Sequence, residues 1–118
     1  MNIAIKGTGM DLTPSIRDYI EKKINRVARL GREQDFCSVE VGKTTTHHHS
    51  GEVFRAEIEL VHDGKNIRIE ETATDLYAAI DLASDRLFRE VASAKGKDEA
   101  LFRRSARRLK GVVRRFYR

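Results

Sequence analysis

The feature that most limits what this chain can fold into is a hydrophobic period that changes several times along it. "NIAIKG" sets Ile3 and Ile5 against Asn2, Ala4 and Lys6, the alternation of a half-buried strand. In "LTPSIRDYIEKKINRVARLG" the period becomes helical, with Ile16, Ile20, Ile24 and Val27 spaced by four, four and three. Thr13 and Pro14 suit an N-cap and first helical position, and Gly31 suits a stop. Alternation then returns twice, with Cys37, Val39 and Val41 on one face and Phe54, Ala56, Ile58 and Leu60 on another. Beyond "HDGK", whose Asp-Gly pair marks a tight hairpin, Ile67 and Ile69 continue the pattern. Finally, Leu76, Ile80, Ala83, Leu87 and Val91 form a second helical stripe, which Thr74 or Asp75 can cap and Gly96 can end. The order strand, helix, three strands, helix predicts an α+β domain with β-α-β-β-β-α order. Its four-stranded sheet carries both helices on one face, and a basic C-terminal extension follows.

The 118 residues suit one domain over 1–95 and a tail over 96–118. Charge separates the two. From Lys95 onward ten Lys or Arg face only Asp98 and Glu99, a net of +8, so the total of +5 leaves residues 1–94 at −3. With Cys37 alone no internal disulfide can form, which agrees with a reducing compartment, and its place in an apolar alternation reads as core. No apolar run is long enough for a signal peptide or membrane span, so a cytoplasmic protein is expected. A pI near 9.6 makes phosphate-bearing partners the leading class, with an anionic membrane surface disfavoured behind them.

An open sheet leaves one face to solvent or ligand. Here that face should carry Ser38, Glu40, Arg55, Glu57, Glu59, Arg68 and Glu70, with Phe36 as its single aromatic. That is unlike a sheet that stacks single-stranded RNA bases. The helices fit a phosphate backbone better. Lys22, Arg26 and Arg29 fall on one side of helix 1 with Lys23 and Arg32 nearby, and Arg86 and Arg89 project from the later turns of helix 2. The competing view is a solvated helix surface in which Asp18 and Glu21 supply local ion pairs.

In the tail, Phe102, Ala106, Leu109, Val113 and Phe116 keep a helical spacing, and Arg103, Arg104, Arg107 and Arg108 lie among them. This predicts a basic amphipathic helix, weakened at Gly111, or a segment ordered on binding. Nucleic acid, a protein partner or a membrane can each be met by such a helix; the arginine forks favour phosphate.

"DLYAAIDLASDRL", from Asp75 to Leu87, resembles the Asp-Met/Leu-Tyr-x-Ala-Ile-Asp signature of the ribosome hibernation promoting factors, also called ribosome-associated translation inhibitors. "LTPSIRDYIEKKI" is similar to the opening of the same family's first helix, and the likeness covers about residues 1–95. It implies a domain that binds the small ribosomal subunit and its rRNA, alone or in the assembled ribosome. By occluding the messenger RNA path and the A and P transfer RNA sites, such a domain inhibits translation and preserves idle ribosomes under stress. The family's rRNA contacts correspond to Lys22, Lys23, Arg26, Arg29, Arg86 and Arg89; Arg103, Arg104, Arg107 and Arg108 have no family counterpart and are assigned to RNA on charge. The chain is too short for the extra C-terminal domain of long members, so a short form, monomeric when free, is expected. The alternatives are a general double-stranded-RNA-binding module, or an assembly protein whose tail docks on a protein or membrane.

Catalytic chemistry is not expected. "GTG" at residues 7–9 lacks the third glycine of a dinucleotide loop, and no nucleophile elbow or paired cysteine motif occurs. "THHHSGE" reads as a polar hairpin loop, since His47 and His49 point away from His48 in an extended segment and a structural zinc site wants four ligands. No cofactor, metal or small-molecule substrate is implied.

Overall fold

The computed structural model describes residues 1–44 and 53–94. The histidine run at 47–49 and the tail at 96–118, with Arg103, Arg104, Arg107 and Arg108, lie outside the described residues. Five elements run in order as β1 (Asn2–Thr8), α1 (Pro14–Ala28), β2 (Phe36–Thr44), β3 (Val53–His62) and β4 (Lys65–Ala73). Helix α2 follows over 76–94. The sheet order is β1-β2-β3-β4, with β1 and β2 parallel and the other two pairings antiparallel. The first pairing needs a crossover, which α1 supplies.

The α1 start is built as its sequence predicts. Thr13 is extended, its hydroxyl accepts from the Ile16 amide at 3.2 Å, and Pro14 follows at the first helical position. Asp75 caps α2, its carboxylate accepting from the Ala78 amide at 3.2 Å. The β3–β4 turn is also legible: His62 pairs with Lys65, and both Asp63 (φ 50°) and Gly64 (φ 72°) are left-handed, as a two-residue primed turn requires.

Gly31 differs from expectation. The helix ends at Ala28 with Arg29 as its cap, so Gly31 does not stop it. A Cβ there would lie 2.7 Å from an Asp35 carboxylate oxygen, so a close approach requires the glycine. Gly7 lies within β1, opposite Val41.

Both helical stripes pack on one face of the sheet. Ile16, Ile20, Ile24 and Val27 of α1 join Leu76, Ala79, Ile80, Ala83, Leu87 and Val91 of α2. Cys37, Val39 and Val41, then Ala56, Ile58 and Leu60, then Ile69 meet them from the strands. Ile20 is fully buried, so Ile20→Ala should cost about 2–5 kcal/mol. The alternation continues past Ile69, which turns Glu71 toward α2 and leaves Glu70 on the opposite face.

Candidate nucleic-acid interface

α1 and α2 run in the same direction and meet along a polar seam. The Tyr19 hydroxyl donates to Asp81, and Lys23 Nζ lies 3.1 Å from the same carboxylate. Tyr77 meets Tyr19 edge-on, with ring centroids 4.8 Å apart at 83°. One turn on, Arg26 lies 3.1 Å from Asp85 and its guanidinium stands 4.4 Å from the Phe88 ring centroid. Residues at i and i+4 share a helix side, so Asp81 and Asp85 present two anions in register with two cations of α1.

The protonation equilibria follow from this seam. The bond to Asp81 raises the Tyr19 pKa above its ordinary value, and burial adds to the rise. Lys23 is also raised, chiefly by Asp81, against the opposing effect of burial. Burial alone would push Asp81 up, but the bonds from Tyr19 and Lys23 outweigh it and its carboxyl is held low.

The six helix residues assigned to RNA from the sequence therefore divide into two groups. Lys23 and Arg26 hold α2 through Asp81 and Asp85. Arg86 reaches Glu71 at 3.1 Å and Glu90 at 3.7 Å. Lys22, Arg29 and Arg89 are exposed and make no ion pair among the described residues. The local pairs expected from Asp18 and Glu21 are not made among the described residues; the anions come from the neighbouring helix instead. Arg32 is drawn away to Asp63, at 2.6 Å.

Two concavities accompany these cations. One, of about 650 Å³, runs over α1 and is lined by Lys22, Lys23, Arg26 and Arg29 together with Asp18, Tyr19, Glu21 and Asn25. The other, of about 680 Å³, lies between the start of β4 and the end of α2, where Lys65 joins Arg86, Arg89 and Glu90. Lys65 was not among the residues singled out from the sequence, since its place depends on α2 ending beside the hairpin. Each concavity is open and combines cations with hydrogen-bonding groups, which suits a phosphate backbone read by shape and charge.

The opposite face of the sheet is built otherwise. Arg55 sits among Glu57, Glu70 at 2.8 Å and Glu40 at 3.6 Å, and Arg68 lies 2.8 Å from Glu57. Burial would lower the Arg55 pKa, but these carboxylates more than offset it and the net shift is upward. Phe36 is the one aromatic there, as expected, and carries no partner ring among the described residues.

A further polar cluster closes the end of the sheet where β2 starts. Asp35, only 1% exposed, accepts from the Arg32 amide at 2.8 Å, and His62 Nδ1 lies 2.6 Å from the same carboxylate oxygen. Burial would raise the Asp35 pKa; the bonds from Arg32 and His62 outweigh that and hold it low. His62 is thus a hydrogen-bond partner of a buried carboxylate. Among the described residues no group of His, Cys, Asp and Glu is arranged to hold a metal ion, and no helix is long and apolar enough to cross a membrane.

Comparison with known proteins agrees with this architecture. The chain is 34% identical over 99 residues to a ribosome hibernation promoting factor of Azotobacter vinelandii, covering 82% of this chain and 85% of that protein. It is 31% identical over 100 residues to a ribosome hibernation promotion factor of Picosynechococcus, covering 83% of this chain but 51% of the relative, and 28% identical to one from Bacillus subtilis, of which it covers 53%. The chain thus spans about half the length of these latter two. The crystal structure of the Thermus thermophilus Protein Y N-terminal domain superposes with a TM-score of 0.66 at 39% identity, over 77% of this chain and 96% of that one. A ribosomal subunit interface protein from Coxiella burnetii shares the fold at a TM-score of 0.61 and 19% identity, over 81% of this chain and 99% of that one. Residues 3–99 match the family described as Sigma 54 modulation protein / S30EA ribosomal protein, and the chain belongs to that family.

Proposed function

We propose that this protein is a ribosome hibernation factor that binds the small ribosomal subunit through the exposed side of its helix layer. The observation that carries the proposal is that Lys22 and Arg29 on α1 and Arg89 on α2, which make no ion pair among the described residues, are held on a two-helix platform whose inner charges neutralise each other. Family membership and the names of the relatives support the ribosome as partner. Residues 1–95 form the binding domain, and the arginines of 96–118, among them Arg103, Arg104, Arg107 and Arg108, add phosphate contacts along the RNA-lined messenger path.

Inhibition then works by exclusion. A folded domain seated where messenger RNA and the A-site and P-site transfer RNAs bind prevents initiation, with no bond made or broken and no cofactor. Duplex RNA buries its base edges in a deep, narrow groove, so recognition rests on backbone shape and phosphate position. Lys23, Arg26 and Arg86 act indirectly in this scheme by fixing the helices, and the free protein is monomeric and cytoplasmic. Co-sedimentation with purified small subunits tests the proposal. The full chain should pellet with subunits in the presence of excess bulk duplex RNA, and Lys22→Ala/Arg29→Ala/Arg89→Ala should not. If bulk duplex RNA removes binding entirely, the protein is a general RNA-binding module.

A further inference from the structure

The open face of the sheet has an apolar end. Phe36 is 46% exposed and Val61 40% exposed, and they are register partners on adjacent strands β2 and β3. No other large hydrophobic side chain of the sheet is so exposed among the described residues; the remaining two exposed ones, Tyr77 and Leu82, belong to α2. Beyond the pair the face carries the four carboxylates of Glu40, Glu57, Glu59 and Glu70 against three cations, Lys6, Arg55 and Arg68. Glu59 makes no ion pair among the described residues. An RNA backbone would meet net negative charge here, so the face wants an occupant that is both cationic and apolar.

The chain itself supplies one, and it leaves the fold beside the patch. Ser93 and Ala94, the last described residues of α2, line the same concavity as Lys65 and Ile67 at the start of β4. Lys65 pairs with His62 and Asn66 with Val61, so α2 ends at the end of the sheet that bears Phe36 and Val61. Passing around the β4 edge from the helix layer to the open face is a path of roughly 20 Å, which about six or seven extended residues span. Phe102 is eight residues past Ala94. The sequence from there carries Phe102, Leu109, Val113 and Phe116 among arginines, and residues 95–118 have a net charge of +8 against −3 for residues 1–94.

We infer that in the free protein residues 95–118 fold back around the β4 edge and dock on the open sheet face, seating apolar side chains over Phe36 and Val61 and arginines over the Glu40, Glu57, Glu59 and Glu70 carboxylates. The contact covers the exposed apolar pair and occupies the tail's cations until a denser phosphate surface competes for them. It is independent of the helix-layer site and is tested without RNA.

A nitroxide attached at Ser105→Cys in the full chain reports on the tail alone. Cys37 is fully buried and its thiol is pushed up to about 12 by that burial, so it does not compete for the label. In nitrogen-15 spectra at low salt, the amides of Phe36, Ser38, Glu59, Val61 and Arg68 should lose most of their intensity relative to the reduced label. Those of Lys22 and Arg29 should keep theirs, and Glu59→Lys should weaken the loss on the sheet. Loss confined to the helices, or none at any site, overturns the inference. So does loss that appears equally when unlabelled nitrogen-15 chain is mixed with labelled nitrogen-14 chain, since the occupant is then a second copy.

Discussion

The two faces of this domain use their charged side chains in opposite ways. In the helix layer Asp81 and Asp85 hold Lys23 and Arg26 along the seam, which leaves Lys22, Arg29 and Arg89 exposed beside Asp18 and Glu21. On the sheet face the order is reversed, with Arg55 at the centre of Glu40, Glu57 and Glu70, and Glu59 left without an ion pair among the described residues. What a face offers a polyanion is therefore set by which sign is consumed internally, and the raw count of charges does not decide it. The helix layer is left attractive to a polyanion and the sheet face repulsive.

The largest expected effect tests the outer cations. Lys22→Ala/Arg29→Ala/Arg89→Ala should weaken small-subunit binding by roughly a hundredfold, at about 1 kcal/mol per lost charge-assisted contact, with an unchanged thermal midpoint. Co-sedimentation and calorimetry together separate the two. Next, Asp35→Asn should cost about 2 kcal/mol of stability, because the charged acceptor of two hydrogen bonds in a buried site becomes a neutral amide oxygen and its second oxygen becomes an NH2 group that must find an acceptor. That loss should leave both faces equally well formed once folded.

The sign of the acid response follows from the low pKa values of Asp35 and Asp81. Their stabilisation is complete above their ordinary value of about 4 and is lost as pH falls through the lower folded-state value. Asp35→Asn should flatten the acid limb of the denaturant midpoint against pH. A smaller effect is expected at the seam, where Asp81→Asn should cost no more than about 1 kcal/mol, given its partial exposure. It should also remove an alkaline dependence: Tyr19 and Lys23 are raised, so their contribution is complete below about pH 10 and lost as pH climbs through the folded values. Smallest of all, Glu59→Gln should change stability by less than about 0.5 kcal/mol and should not weaken subunit binding. Weakened binding on Glu59→Gln would break the contrast between the faces.

Much of the fold was legible because period and turn chemistry are local properties. Thr13-Pro14 and Asp63-Gly64 each specify their own geometry, and the Ile16 to Val27 stripe needs only a helical spacing to declare its buried side. The candidate site was legible only as a composition. That Lys23 and Arg26 are held by Asp81 and Asp85, residues 58 or more positions away, depends on the parallel run of α1 and α2 and on which sides of them meet. One signal was available: Asp81 and Asp85 are spaced by four, close to the spacing of Lys23 and Arg26. Asp35 gave less warning still, since a polar residue just before a strand ordinarily marks a loop. Its burial follows from Gly31 and His62 converging on it from two other segments.

The most direct test compares the salt dependence of small-subunit binding for three forms: the full chain, Lys22→Ala/Arg29→Ala/Arg89→Ala, and Lys23→Ala/Arg26→Ala/Arg86→Ala. Each phosphate contact contributes roughly 0.7 to 0.9 to the slope of log affinity against log salt. The expected result is a slope smaller by about two to three for the outer triple, and a slope close to that of the full chain for the seam triple, whose weaker binding reflects loosened helices. Equal slopes for the full chain and the outer triple would contradict the assignment of Lys22, Arg29 and Arg89 to RNA.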